Sequence, residues 1–241
     1  MPQYIYGRNT VISALKENKV KRLYLQSGFS FGPLLDLLKK NKLEVVYKNE
    51  NELKKLSNNG VHQGCVAEIA DFAYVGLDEL IAKGKKKNGF PLLVMLDGIK
   101  DPHNLGAILR SADAFGADGV IVKKTEQAPL NMTVAKVSTG AIDFVKVAQV
   151  SNLSNAIKKL KDEGYWIVAS DGSAKTDYTK IDYKCPIVLV VGSEGEGVSR
   201  LVLENSDFIT KIDMIGHVNS LNASVATAIY LAQIHYNRSP K

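Results

Sequence analysis

Three short polar segments, far apart in this chain of 241 residues, carry the residue types that chemistry needs. They are Asn104-Leu-Gly106-Ala-Ile-Leu-Arg110, Gly192-Ser-Glu194-Gly-Glu196-Gly197, and Ile212-Asp-Met214 with Ser220-Leu-Asn222. Each follows a leucine-rich or β-branched stretch, at 91–96, 187–191 and 208–212. Side by side in one parallel sheet, those stretches would bring all three segments to a single edge, where α/β proteins bind ligands. Asparagine, arginine, glutamate, serine and glycine backbone amides would then surround one pocket.

Each segment also has a plainer reading. Asp101-Pro102-His103-Asn104 is a helix start signal, with Asn104 at or near the N-cap. Gly106 and Arg110 then share a face, and Arg110 lies roughly 9 Å along the axis from Asn104. Arg110 could equally pair with Asp113 at i+3 on a solvated face. In the second segment the glycines permit positive φ and close backbone approach to a ligand, or simply a tight turn. It fits neither G-x-G-x-x-G nor a phosphate-cradling G-x-x-x-x-G-K-S/T loop. In the third, Ser220 reads as the N-cap of the last helix. Asn222, a poor residue for a first turn, should face something polar. Ala223, Ser224, Ala226, Thr227 and Ala228 keep that helix slim, which would suit a subunit interface.

The elements that must position these residues follow from periodicity. From 91 onward, strands at 91–96, 119–122, 144–148, 165–169, 187–191 and 208–212 alternate with helices at 104–116, 131–138, 152–163, 198–204 and 221–237. Repeated βα units predict an α/β fold with a mostly parallel sheet. Residues 1–70 predict a small α/β unit with strands at 22–26, 43–47 and 65–69. Its helices fall at 33–40 and 51–56, and a first helix is capped by Asn9 or Thr10. Between the two units, 71–90 holds a short helix over 77–82 and then the run Lys83-Gly-Lys85-Lys86-Lys87, which reads as a flexible linker. The domains expected are therefore 1–70, a linker at 71–90, and 91–241.

Charge supports that division. The net charge is +6, and residues 1–70 hold 11 Lys/Arg against 6 Asp/Glu, while 91–241 is balanced. A polyanion-binding unit joined to a neutral one would show this asymmetry, as would a lysine-rich solubilising surface. The longest apolar runs are far below the ~20 residues that span a bilayer, and no secretory leader opens the chain. Cys65 and Cys185 form no CxxC pair and read as reduced thiols, consistent with a cytoplasmic protein. His62, His103, His217 and His235 share no ligand spacing, so no metal is expected.

In order and wording, the three segments resemble the motifs of the SpoU (TrmH-like) family of RNA ribose 2′-O-methyltransferases. The residues carrying the likeness are Asn104, Gly106 and Arg110, then Gly192, Glu194 and Gly197. The third motif supplies Ile212, Met214, Ser220, Leu221, Asn222 and Ser224. Tyr6-Gly-Arg-Asn9 and His62-Gln63-Gly64 also look like the N-terminal RNA-binding domain of the branch that methylates a guanosine of 23S ribosomal RNA. One departure is Asp213, where the family usually has proline.

The resemblance implies a SPOUT-type parallel sheet with a deep trefoil knot, S-adenosyl-methionine as cofactor, ribosomal RNA as partner, and a homodimer. It also implies catalytic roles for Arg110, Asn104, Glu194, Ser220 and Asn222. Cofactor contacts would come from Gly192, Ile212, Leu221, Met214, Gly197 and Thr139. Alternatives are a transfer-RNA enzyme of the same chemistry, or an RNA-binding assembly factor without catalysis. A dinucleotide-dependent oxidoreductase is excluded for want of an early glycine fingerprint.

Overall fold

A computed structural model describes residues 3–16, 18–40, 43–69, 72–86 and 89–239. The chain divides into two units, Met1–Phe72 and Ala73–Lys241. Lys87 and Asn88, within the expected linker, lie outside the described residues.

The first unit runs β1 (Gln3–Tyr6), α1 (Arg8–Lys16), β2 (Val20–Gln26), α2 (Gly32–Lys40), β3 (Glu44–Lys48), α3 (Glu50–Leu56) and β4 (Cys65–Ile69). Its sheet has the order β1-β4-β2-β3. β4 is antiparallel to β1 and β2, whereas β2 and β3 are parallel. Leu23, Leu25, Val66 and Ala67 from the sheet, with Val11, Leu15, Leu34 and Leu53 from the helices, are fully buried or nearly so.

Local chemistry explains the boundaries of two helices. At the start of α3, Asn49 Oδ1 accepts the Glu52 N–H at 2.9 Å, and the Glu52 carboxylate accepts the Asn49 N–H at 3.0 Å. This reciprocal cap satisfies two orphan donors. Asn9 and Thr10 do not cap α1, because the helix has already begun at Arg8. The Arg8 N–H donates instead to Gln63 Oε1 at 2.9 Å, across 55 residues of chain.

The second unit begins with α4 (Leu77–Lys85) and continues β5 (Leu92–Asp97), α5 (Pro102–Ala114), β6 (Gly119–Lys123), α6 (Met132–Val137), β7 (Lys146–Val150) and α7 (Leu153–Asp162). Then come β8 (Trp166–Ser170), β9 (Thr176–Asp177), β10 (Ile187–Gly192), α8 (Arg200–Glu204), β11 (Phe208–Lys211) and α9 (Ala223–Arg238). The sheet has the order β7-β6-β5-β10-β8-β11-β9, and every neighbouring pair is parallel. β5 and β10 are buried at every position. Continuous apolar runs of this kind belong to strands covered on both faces.

Three expectations change. The segment 71–90 is not a free linker, since Leu80 and Ile81 of α4 sit in the same apolar core as Leu93, Ile121 and Ile157. Burying two large aliphatic side chains stabilises α4 against the sheet by about 3–6 kcal/mol, more than a glycine and lysine run can undo. β7 starts at Lys146 rather than 144, because Gly140 at φ +94° turns the chain into a 3₁₀ segment over Ala141–Asp143. The strands leading to the three polar segments are not all adjacent: β5 pairs with β10, but β8 lies between β10 and β11.

The C-terminal helix is held by polar as well as apolar contacts. The hydroxyl of Tyr230 donates to the Thr210 carbonyl at 2.9 Å and lies 2.9 Å from Thr210 Oγ1, all fully buried. The Arg238 guanidinium donates to the carbonyls of Tyr183, Phe90, Pro91 and Cys185, at 2.7–3.2 Å. The small residues Ala223, Ala226 and Thr227 turn inward, so their slimness serves packing within this chain. Val225 and Tyr236 on the same helix are exposed.

Gly106 is a packing residue between α5 and α6. A Cβ there would lie 2.7 Å from Val137 Cβ and 3.0 Å from the Val134 carbonyl oxygen. Gly106→Ala should therefore lower stability by about 1–3 kcal/mol, despite the better helix propensity of alanine. Urea unfolding monitored by far-UV circular dichroism checks this; a stabilised variant would contradict the close approach.

Candidate functional site

The chain reverses direction across the sheet at β5 and β10: β6 and β7 extend to one side, β8, β11 and β9 to the other. Loops diverge at such a switch point and open a crevice at the carboxyl ends of the strands. The loops after β5, β10 and β11 all emerge there.

Asp97, the last residue of β5, ties two of these loops together. Its carbonyl accepts the Ser193 N–H at 3.1 Å, and its Oδ2 accepts the Ser199 N–H at 2.9 Å. Both ends of the glycine-rich loop after β10 are thus fixed to one residue that is only 5% exposed. Lys123 Nζ lies 3.3 Å from Asp97 Oδ1 and 3.3 Å from Glu126. Partial burial works against the Lys123 ammonium, but Asp97 and Glu126 more than offset it and hold its pKa above the ordinary lysine value.

Glycine is required inside that loop. A Cβ on Gly192 would fall 2.0 Å from the Gly197 carbonyl carbon, so the loop can close back on the strand only without a side chain. Gly197, at φ +68°, occupies the left-handed region. Its N–H donates to the Ser193 carbonyl at 2.9 Å, which closes the turn and leaves Glu194 at the tip.

Asn104 is the third residue of α5, not its cap. Asp101 caps the helix by accepting the His103 N–H at 2.9 Å, with Pro102 in the first position. That frees the Asn104 side chain, whose Nδ2 donates to Glu194 Oε1 at 2.9 Å. At the other end, the cap of α9 is Asn222 rather than Ser220, and the helix begins at Ala223. Asn222 Oδ1 accepts the Ser224 N–H at 2.9 Å, while its Nδ2 donates to Glu194 Oε1 at 2.5 Å and to Asn104 Oδ1 at 2.9 Å. Three residues separated by 90 and 28 positions along the chain therefore form one closed triangle of hydrogen bonds.

A cavity opens beside this triangle. Gly192, Glu194, Gly197, Ile212, Met214, Ser220 and Leu221, all expected there from sequence, line it. Its lining combines the apolar residues Val191, Leu221, Ala223 and Ala226 with polar ones such as Asp171, Ser193 and Asn219. Lining residues not anticipated include Asn219 and, immediately after β8, Ser170, Asp171 and Gly172. The signal was present, since a polar turn follows an apolar strand there as in the other three cases.

Two expected residues stand apart from this cavity. Thr139 follows α6, exposed and at φ +51°, and does not line it, because the turn into the 3₁₀ segment carries it into solvent. Arg110 is exposed, and among the described residues it has no hydrogen-bond or ion-pair partner, so the i+3 pairing with Asp113 does not form. Among the described residues no cluster of His, Cys, Asp or Glu could hold a metal ion, and no helix is long and apolar enough to cross a membrane.

A parallel sheet with a polar crevice at its switch point defines an α/β protein with a small-molecule site. More narrowly, the chain belongs to the SpoU rRNA Methylase family, whose profile matches residues 91–232. A second profile, for RNA 2′-O ribose methyltransferase substrate binding, matches residues 4–75. A Bacillus subtilis protein named for the TrmH family of tRNA/rRNA methyltransferases is 40% identical over 98% of this chain and 96% of its own length. A Staphylococcus haemolyticus protein of the same description is 42% identical over 97% and 95%. The crystal structure of an AdoMet-bound rRNA methyltransferase from Sinorhizobium meliloti superposes with a TM-score of 0.72. That match has 26% identity and covers 98% of this chain and 87% of that one. The SpoU methyltransferase AviRb from Streptomyces viridochromogenes, at 23% identity and a TM-score of 0.73, shares the fold over 98% of this chain and 90% of its own.

The role of Asp97 can be tested by stability. Removing a carboxylate that pairs with a partly buried lysine should make Asp97→Ala about 3 kcal/mol less stable in urea. Asp97→Asn keeps an acceptor for the Ser199 N–H and should lose less. Equal losses in the two variants would remove that hydrogen bond from the account.

Proposed function

We propose that this protein transfers the methyl group of S-adenosyl-methionine to a ribose 2′-hydroxyl of RNA, most specifically a guanosine of 23S ribosomal RNA. The observation that carries the proposal is the triangle of Asn104, Glu194 and Asn222 beside the cavity, on the three segments that carry the family's motifs. The donor set fits the cofactor: apolar lining residues suit the adenine, and polar ones suit the ribose and amino-acid end. Gly192, Gly197, Ile212, Met214, Ser220 and Leu221 would hold it, largely through backbone, because closely packed glycines leave peptide groups exposed to a ligand. When bound, the cofactor supplies an electrophilic methyl on a sulfonium.

The protein's own contribution is positioning and charge. In-line methyl transfer needs the hydroxyl oxygen, carbon and sulfur held in a row, and a prepaid orientation can remove a large part of such a barrier. Asn104 and Asn222 fix the Glu194 carboxylate beside the cavity, and Ser220 is among its lining residues. Arginine is a poor choice of general base, because a guanidinium holds its proton too tightly to accept another. Instead the Arg110 guanidinium grips the phosphate next to the target ribose and lowers the hydroxyl pKa, while water or a neighbouring group takes the released proton. Because Arg110 has no hydrogen-bond or ion-pair partner among the described residues, a homodimer whose site draws on both copies accommodates it naturally.

The same reading includes a trefoil knot in the methylase unit and division of labour between a substrate-binding unit over 1–70 and a catalytic unit over 91–241. It also places the protein in the cytoplasm, where the two free cysteines would stay reduced. A transfer-RNA substrate remains the second reading, since the relatives' description names tRNA and rRNA together.

Arg110→Ala should lower methyl transfer by at least about 10²-fold, roughly 2.7 kcal/mol of transition-state stabilisation, with cofactor affinity within a few-fold. Labelled-methyl filter assays and calorimetry give the two readouts. Wild-type turnover in the variant would remove Arg110 from the mechanism. Mapping 2′-O-methyl nucleotides in total RNA, with and without the gene, identifies the substrate.

A further inference from the structure

The first unit gathers an unexplained set of groups at one edge of its sheet. β1, β2 and β3 run in one direction and β4 in the other, so the ends of three strands and the start of the fourth share that edge. At that edge stand Arg8, the first residue of α1, Phe29 and Phe31 on the loop after β2, and His62 and Gln63 on the loop before β4. They enclose an open groove of about 710 Å³, lined among others by Arg8, Gln26, Phe29, His62 and Gln63. A groove of this size suits a nucleotide-sized ligand.

Arg8 is the group that needs an explanation. Its guanidinium carbon lies 4.7 Å from the centre of the Phe31 ring and 5.6 Å from that of Phe29. Two aromatic rings therefore hold the cation in place. Its Nε is buried without a hydrogen-bond partner, and among the described residues the guanidinium has no acceptor at all. Buried unsatisfied donors are uncommon in native proteins, and a charged donor is the most costly kind.

The surrounding loops are built to hold this arrangement. The Arg8 N–H is fixed by Gln63 Oε1, and Gln63 itself adopts φ +52°. The neighbouring Gly64, at φ +81°, donates its N–H to His62 Nδ1 at 3.1 Å. A Cβ on Gly64 would collide with Phe29 at 2.7 Å, so glycine there lets the ring reach Arg8. Glu50 also faces the groove, but Lys54 pairs with it at 2.8 Å. Close by, Tyr6 lies against Gly60, where a Cβ would meet its ring at 2.3 Å, and remains 40% exposed.

We propose that this groove binds an unpaired nucleotide of the RNA substrate, with Arg8 donating to a pair of acceptor atoms on it. The inference rests on the RNA methyltransferase reading above and adds the place and chemistry of substrate recognition. Single-stranded loops of RNA offer what the groove lacks: acceptor pairs for a fixed guanidinium fork, and bases to lie on exposed aromatic rings such as Tyr6. The acceptor pair is either two phosphate oxygens or the O6/N7 edge of an unpaired guanine, both from the same polymer.

The test uses the full-length protein with unmodified transcripts of 23S ribosomal RNA and of transfer RNA, with binding read by filter retention. Arg8→Ala should weaken binding about ten-fold or more to the transcript that wild type prefers, with Arg8→Lys in between. Ser30→Glu, an exposed rim substitution that leaves the fold alone, should weaken it too. Affinity for S-adenosyl-methionine by calorimetry and the thermal midpoint of the Ser30 variant should match wild type. If phosphate is the partner, Arg8→Ala lowers the slope of log affinity against log salt by about 0.7. If guanine is, a 7-deazaguanosine transcript binds wild type more weakly but does not weaken Arg8→Ala further. Either pattern supports the site. Wild-type RNA affinity in both Arg8→Ala and Ser30→Glu would overturn it while leaving the methyltransferase reading intact. A wild-type protein that neither binds nor methylates RNA would overturn both.

Discussion

A single carboxylate oxygen, Glu194 Oε1, accepts hydrogen bonds from two asparagines, one in the first turn of α5 and the other capping α9. Asn222 meets it while capping α9 with the other end of its amide, so one side chain sets both the start of the helix and the rim of the cavity. Asn104 meets it from the first turn of α5, free to do so because Asp101 has taken the capping role. Each amide is used at both ends, and such groups are hard to replace. An aspartate would repel Glu194, and an alanine would leave the carboxylate and the helix start without partners.

That triangle needs a rigid frame. Asp97 provides it from the end of a fully buried strand, holding Ser193 with its carbonyl and Ser199 with its carboxylate. Gly192 and Gly197 let the loop between them fold tightly enough for Glu194 to face the two asparagines. Tyr230 and Thr210 then anchor α9 to β11, and Arg238 binds the far end of the helix to four backbone carbonyls. Polar chemistry at the rim thus depends on polar staples in the interior, and both depend on the apolar centre of the sheet at β5 and β10.

The first unit applies the same logic differently. There the charged group, Arg8, is held by aromatic rings rather than by a counter-ion, and Gln63 orients its backbone. A cation kept in place without an acceptor is ready for one that arrives with the ligand. In the second unit Arg110 is likewise free, but exposed rather than clamped. Among the described residues these two arginines lack an acceptor, and they belong to separate units of the fold, one clamped between aromatic rings and the other exposed.

Period and composition alone determined the alternation of strands and helices, the two-unit division near residue 70, and the three segments that converge. These are local properties: an apolar run makes a buried strand wherever it lies, and a glycine-rich turn remains a turn. Choices between equally good local candidates were decided by tertiary structure. Ser220 and Asn222 are both good capping residues, and Asn222 caps because Glu194 and Asn104 hold its amide in place. Asn9 and Thr10 lost the start of α1 to Gln63, a residue with no local reason to be there. The segment 77–85 looked like part of a linker until Leu80 and Ile81 met the sheet. A hydrogen bond or a packed methyl group across 50 or more residues leaves no trace in a local window, because its partner is chosen only when the chain folds.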